Sequence, residues 1–102
     1  MNLVRHVIMW QMKDGLSQAE SDAVKSEIKQ KLEALVGVID GLKEVKVITD
    51  VMDSSNADLM LDCLLEDERA LSAYAVHPAH VAVKDGLIMP NVKSRVCIDY
   101  II

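Results

Sequence analysis

Residues 3–12, Leu-Val-Arg-His-Val-Ile-Met-Trp-Gln-Met, are apolar on both faces of an alternating pattern, and this limits the possible folds more than any other feature. A strand turns successive side chains to opposite sides. One side carries Val4, His6, Ile8, Trp10 and Met12; the other carries Leu3, Val7 and Met9. A strand wet on its back would alternate apolar with polar residues, so this one must be covered twice. A chain of 102 residues holds material for one core. The sequence therefore predicts a single domain over residues 1–102, whose second cover has to come from outside the chain.

The remaining elements follow in order. Lys13-Asp14-Gly15 is a turn, and Ser17-Gln18-Ala19-Glu20 has the form of a capping box. A helix should run from there to about Val36, burying Val24, Ile28, Leu32, Leu35 and Val36 and turning Lys25, Glu27, Lys29 and Glu33 to solvent, with Gly37 as its stop. Asp40-Gly41 precedes a second strand over residues 42–51, nearer an edge, in which Val45, Val47, Thr49 and Val51 alternate with polar neighbours. The polar segment Asp53-Ser54-Ser55-Asn56 leads by a hairpin into a third strand, where Leu59, Leu61, Cys63 and Leu65 share a face. Acidic residues Glu66-Asp67-Glu68 open a helix whose inward stripe is Leu71, Tyr74 and Ala75. A last strand, Ser94 to Ile102, sets Val96, Ile98, Tyr100 and Ile102 against Arg95, Cys97 and Asp99.

The stretch Tyr74-Ala75-Val76-His77-Pro78-Ala79-His80-Val81 holds two of the three histidines and one of the two tyrosines. Proline fixes its own φ and pushes the preceding residue out of the helical region, so His77 should be extended while Pro78 opens a new helix. His80 then falls in the first turn, where the positive end of the helix disfavours an imidazolium and leaves the ring neutral near pH 7. His80, Val83 and Leu87 are spaced three and four apart, which turns His80 inward. Each ring also has a plainer reading: His6 as a satisfied core residue, Tyr74 as packing, and His77 and His80 as caps at a helix corner.

The order β-α-β-β-α-β, with right-handed crossovers, gives an α+β, ferredoxin-like antiparallel sheet with helices on one face and the first strand between the third and fourth. The uncovered face is apolar, so a second copy packing sheet against sheet is expected, making a homodimer. Hydrophobic residues at 51% against 26% charged exclude disorder, and no apolar run reaches the length of a membrane span. A net charge of −5 with dispersed Lys and Arg argues against nucleic-acid and membrane partners. The start lacks the basic region and apolar core of a secretory signal, which predicts a soluble cytoplasmic protein. Cys63 and Cys97 lack metal-type spacing and sit in apolar strand patterns, so both are expected as buried free thiols.

Arg5-His6-Val7-Ile8-Met9-Trp10, Gly41-Leu42, the stretch from Tyr74 through His77-Pro78-Ala79-His80-Val81, and Ser94-Arg95-Val96 with Asp99-Tyr100 together resemble the stress-responsive dimeric α/β-barrel (Dabb) family over essentially the whole chain. Asp40 departs from the pattern where many members carry proline, which affects only a turn. The resemblance implies a dimeric α+β barrel and a stress-responsive setting. One plant member closes a linear polyketide by aldol condensation, and its catalytic tyrosine and histidine match Tyr74 and His80, with an accessory histidine matching His6. Val24 and Ile28 stand on the helix face where that enzyme uses larger rings, and this chain has no phenylalanine, so its ligand must differ.

Three function classes follow. In the first, the protein binds a small organic molecule between sheet and helices, against Ile8, Trp10, Val24, Ile28, Leu61, Val83 and Arg95, without an assigned reaction. In the second, His80 abstracts a proton beside a carbonyl, Tyr74 donates to the enolate and His6 orients, with no cofactor. In the third, a cofactor-free monooxygenase of the dimeric-barrel type acts on an activated substrate. Arg95 either holds a carboxylate or phosphate of the ligand or pairs with Asp99 or Glu66. A metal site would need His6, His77 and His80 to converge, and their expected directions diverge, so no metal is expected.

Overall fold

A computed structural model describes residues 2–102; Met1, where the stretch read as entering the first strand begins, lies outside them. Strand β1, Val4–Met12, buries alternate residues from Val4 to Met12. Helix α1, Gln18–Glu33, begins at the capping box: the Ser17 side chain accepts from the Glu20 N–H and Glu20 returns a bond to the Ser17 N–H. Strands β2, Leu42–Ile48, and β3, Leu59–Leu65, follow, then helix α2, Glu68–Val76, capped by Asp67. Helix α3, Pro78–Val83, runs into a π-helical turn, Lys84–Ile88, and a 3-10 turn, Met89–Asn91, before strand β4, Val92–Ile101.

The sheet order is β2-β3-β1-β4, with every neighbouring pair antiparallel. This is the ferredoxin-like α+β arrangement that the sequence predicts, with β1 inside. One sheet face and the helices enclose the core, in which Ile8 and Trp10 of β1 meet Ile28 and Leu32 of α1, Leu59 and Leu61 of β3, and Tyr74 of α2.

Four local expectations are corrected. Helix α1 ends at Glu33, and tighter turns carry the chain on, so Val36 is exposed and Ile39 is buried in its place. Lys29 and Glu33 do not point to open solvent. Val47 lies on the edge strand β2 with its N–H and C=O unpaired by the sheet; Lys29 Nζ donates to its carbonyl at 2.8 Å and Glu33 accepts from its N–H at 3.0 Å. Burial raises the Glu33 carboxyl, but the Lys29 ammonium and the Val47 N–H outweigh it and hold it below its ordinary value. The π turn replaces a regular helix after Val83, so that Ile88 is buried while Leu87 packs against the core only partly buried. Cys97 is an exposed free thiol, whereas Cys63 is buried, because β4 extends beyond the cover of the helices and none of its residues is fully buried.

The other sheet face is uncovered. Met9, Val96, Ile98 and Tyr100 are exposed there, beside the Arg5–Asp62 ion pair. Among the described residues no helix is long and apolar enough to cross a membrane.

Gly41 joins the two halves of the fold. Its φ of +82° suits glycine, its carbonyl accepts from Glu66 N–H at 2.8 Å, and a Cβ there would lie 2.6 Å from the Ala70 Cβ of α2. Gly15 and Gly37 have similar φ but open surroundings. Gly41→Ala should therefore lose about 1–3 kcal/mol more than Gly15→Ala or Gly37→Ala, the usual cost of overpacking, measured by urea unfolding. Equal losses at the three positions would show that α2 does not press on this turn.

Candidate functional site

The site begins at the break between α2 and α3. In an uninterrupted helix Ala79 N–H would donate to Ala75 C=O, and the His77-Pro78 corner removes that bond. Two histidines satisfy the groups left over. His77, extended at ψ 132°, accepts from Ala79 N–H through Nδ1 at 3.1 Å. His80 Nδ1 lies 3.2 Å from Ala75 O and must donate there, since a carbonyl only accepts. His80 is thereby fixed as the Nδ1–H tautomer, and its Nε2 is left as an acceptor.

His6 reaches the same region from the sheet. It is buried in mid-β1, opposite Cys63 on one side and Asp99 on the other. Its Nδ1 is hydrogen-bonded to Asp99 Oδ1, which again makes Nε2 the acceptor of the neutral ring. The Cys97 thiol also donates to Asp99 Oδ1, at 3.6 Å. Tyr74 lies between the two histidines, with ring centroids 5.9 Å from His6 and 4.3 Å from His80. Its hydroxyl is buried beside the Cys63 thiol and makes no hydrogen bond of ordinary geometry among the described residues.

These three side chains border a cavity of about 380 Å³. Ile8, Trp10, Leu61 and Arg95 line it, as do Leu32, Leu71, Ala75, Lys84, Ile88 and Met89. Val24, Ile28 and Val83 do not. The cavity meets α1 only near its C-terminal end, at Leu32; Ile28 is sealed against the sheet a turn earlier, and Val24 lies a turn beyond that. Val83 packs against the core while the π turn carries Lys84 and Ile88 to the cavity. His77 is outside the lining, committed to Ala79.

Burial sets the electrostatics. It pushes His80 below the ordinary imidazole value; the Ala75 carbonyl opposes this, and the nearby Lys84, His6 and Arg95 add to it. Burial likewise raises Tyr74 above the ordinary phenol value, with Cys63 next in importance. Cys63 itself is pushed up to about 12 by burial and so stays a thiol. An unprotonated imidazole therefore faces a protonated phenol, the pairing that proton abstraction and oxyanion stabilisation require.

Arg95 pairs with neither Asp99 nor Glu66. Four residues along a strand separate Arg95 from Asp99 by about 13 Å. Glu66 follows Leu65, which sits opposite Val4, whereas Arg95 sits opposite Trp10 at the far end of β1. As for metal donors, atoms of His6, Cys97 and Asp99 lie within 4.8 Å of one another. His6 Nδ1 and Cys97 Sγ carry protons directed at Asp99, and burial followed by Asp99 raises the thiol, so both would have to be deprotonated before ligating. The sequence offers Asp99 only as a partner for Arg95 and as part of the closing Asp99-Tyr100, and misses its role at His6. Parity places it on the face of Cys97, but its meeting with His6 depends on the β1–β4 register, which a bulge near Gln11 and Met12 shifts.

A family model described as Stress Responsive A/B Barrel Domain matches residues 4–102. A solved structure from Bacteroides fragilis, a dimeric protein of unknown function with a ferredoxin-like fold, is 24% identical, with a TM-score of 0.92 over 100% of this chain and 98% of that one. A Dabb family protein from Mesorhizobium loti is 21% identical, with a TM-score of 0.76 over 98% and 96% of the two chains. A hydroxynitrile lyase from Passiflora edulis is 19% identical, with a TM-score of 0.79 over 99% and 94%. At these identities the likeness establishes the fold alone. No curated protein matches the chain.

The hydrogen bonds assign one tautomer to each histidine. Nitrogen-15 NMR above neutral pH should show His6 and His80 protonated at Nδ1, and His77, whose Nδ1 accepts, protonated at Nε2. Asp99→Asn should alter only the His6 pattern. The common Nε2–H form at all three positions would contradict the arrangement.

Proposed function

The chain belongs to the stress responsive A/B barrel domain family, and from that premise we propose that it binds a small carbonyl compound in the cavity and moves a proton on it by acid–base chemistry. The observation that carries this reading is Tyr74, whose buried hydroxyl is unpartnered among the described residues and whose side chain borders a cavity shared with His80 and His6. An unpaired buried hydroxyl costs about 1–3 kcal/mol, and a ligand oxygen accepting from it would recover that cost.

In the proposed step, His80 Nε2 takes a proton from the carbon next to the carbonyl. The C–H pair becomes the C=C bond of an enolate, and the carbonyl π pair moves onto oxygen, where the Tyr74 O–H donates a hydrogen bond. Return of the proton to another carbon completes an isomerisation; attack of the enolate carbon on a second carbonyl completes an aldol cyclisation. His6, held by Asp99, presents a second imidazole acceptor for relaying or orienting. Apart from the His6, Tyr74 and His80 rings, the cavity wall is mainly aliphatic with Trp10 as its further large ring, which suits a smaller and less aromatic ligand than a phenylalanine-lined pocket would take. The monooxygenase reading has only the shared fold behind it. The family supplies stress response as the proposed biological setting.

We also infer that the protein works as a homodimer joined through the uncovered sheet face. Ile98 is 58% exposed and Val96 59% exposed, next to Met9 and Tyr100, a grouping that water rarely keeps bare. The Bacteroides fragilis relative, itself described as dimeric, is consistent with this.

Two experiments test these readings. With cyclohexanone as a neutral probe, the protein should accelerate exchange of the α-hydrogens for deuterium in heavy water, followed by NMR. His80→Ala should reduce that rate about 10²–10⁴-fold, the usual span for a positioned general base, and Tyr74→Phe should reduce it while preserving packing. The rate should rise as pH climbs through a value below about 6.5, because His80 must be unprotonated, and should stay level to an unusually high pH, because Tyr74 holds its proton. Exchange that is absent, or unchanged in folded His80→Ala protein, would sink the acid–base assignment. For assembly, sedimentation should give twice the chain mass, and Ile98→Asp should halve it; a monomeric native protein would refute the interface.

A further inference from the structure

The charges around the cavity run opposite to those of the chain. The sequence has 16 Asp and Glu against 11 Lys and Arg, yet the cavity lining includes Arg95 and Lys84 and no acidic residue. We propose that Arg95, assisted by Lys84, forms an anion subsite, and that the ligand of this cavity is an oxo acid, with its carbonyl at Tyr74 and its carboxylate at Arg95.

The subsite rests on the acid–base reading of the same cavity and adds the class of compound it takes. Arg95 is in none of the ion pairs among the described residues. Asp99, the acid on its own face of β4, is committed to the His6 ring and the Cys97 thiol. Asp62, on β3 two strands away, belongs to Arg5 on the far face of the sheet. Among the described residues the one acid within ion-pair distance of Lys84 is Asp85, at 3.9 Å, the next residue along the chain. Both cations stand at the solvent-open rim of the cavity beside Trp10 and Ile88, Arg95 exposed and the Lys84 side chain 45% exposed, so their hold on a carboxylate is partly screened by water and salt. A guanidinium presents paired donors to a carboxylate, so Arg95 is the anchor and Lys84 the supplementary point charge.

The placement also bears on the chemistry. A carboxylate held at Arg95 opposes the rise in positive potential that Arg95 and Lys84 impose on His80. The bound acid therefore leaves the base stronger than in the empty cavity. A neutral ketone, lacking that charge, is handled by the same His80 and Tyr74 without it.

Trp10, the chain's single tryptophan, lies in the cavity wall beside Arg95, its cross-strand neighbour, and reports on binding through its fluorescence. The probes are 4-oxopentanoate and 5-oxohexanoate, each compared with its methyl ester. The acids should bind about tenfold or more tightly than the esters, and added salt should weaken the acids alone. Arg95→Gln should bring each acid to the level of its ester, the acid losing far more than the ester, Arg95→Lys should keep part of the preference, and Lys84→Gln should reduce it less than Arg95→Gln. Equal binding of acid and ester by the native protein, or a preference that survives in Arg95→Gln, overturns the subsite. Ester binding, together with cyclohexanone exchange that depends on His80, would then leave the acid–base reading standing. If neither acid nor ester perturbs Trp10, the subsite is overturned, and cyclohexanone exchange alone decides the acid–base reading.

Discussion

Strand β1 is the constraint from which the other parts take their places. It is hydrogen-bonded to β3 along one edge and to β4 along the other, so its register fixes theirs. One face supplies Ile8 and Trp10 to the core and to the cavity wall and sets His6 next to Ile8 along the same wall. The other leaves Val7 and Met9 on the sheet face that the helices do not cover. A single strand thus commits the chain both to a helix-covered core and to an apolar surface in need of a partner, because side-chain parity cannot be altered on one face alone.

Around that strand, the polar groups of the cavity are held by backbone accounting more than by packing. The proline at residue 78 removes one helical hydrogen bond and frees a carbonyl and an amide. His80 takes the carbonyl and His77 the amide, so the two histidines of one short stretch have opposite orientations and opposite tautomers. His6 receives its orientation from Asp99 across the sheet. Tyr74 is the exception. The structure buries its hydroxyl without a partner among the described residues, a cost of about 1–3 kcal/mol that folding alone does not recover. Burial explains the direction in which both Tyr74 and His80 are shifted, since desolvation penalises a phenolate and an imidazolium alike.

Much of the fold and part of the site were legible in the residues. Alternation in β1 and β3, the Ser17/Glu20 capping box, Gly41 and Pro78 each name a local geometry with few alternatives, and from their order the sheet topology follows. The His77-Pro78 corner and the inward direction of His80 also follow from dihedral and spacing rules. Those signals are short-range, and they are reliable because the physics behind them is local: proline's ring, the period of a strand, and the unpaired amides of a helix start.

Tertiary structure decided what depends on two distant segments meeting. Asp99 serves His6 because residues 93 positions apart are brought into register by a strand pair containing a bulge. Lys29 and Glu33 close the edge of β2 because that strand happens to lie one helix-width away, and nothing in a solvent-type charge pattern announces it. Val36 loses its inward place to Ile39, and Leu87 is only partly buried while Ile88 is buried, because the helical segments end or change pitch there. Arg95 is left facing a cavity without an acid because the candidates for its partner are engaged elsewhere or too far along the sheet. Sequence determines periodicity and chain direction. Which charges stay unpaired depends on distances between segments, and these exist only once the chain has folded.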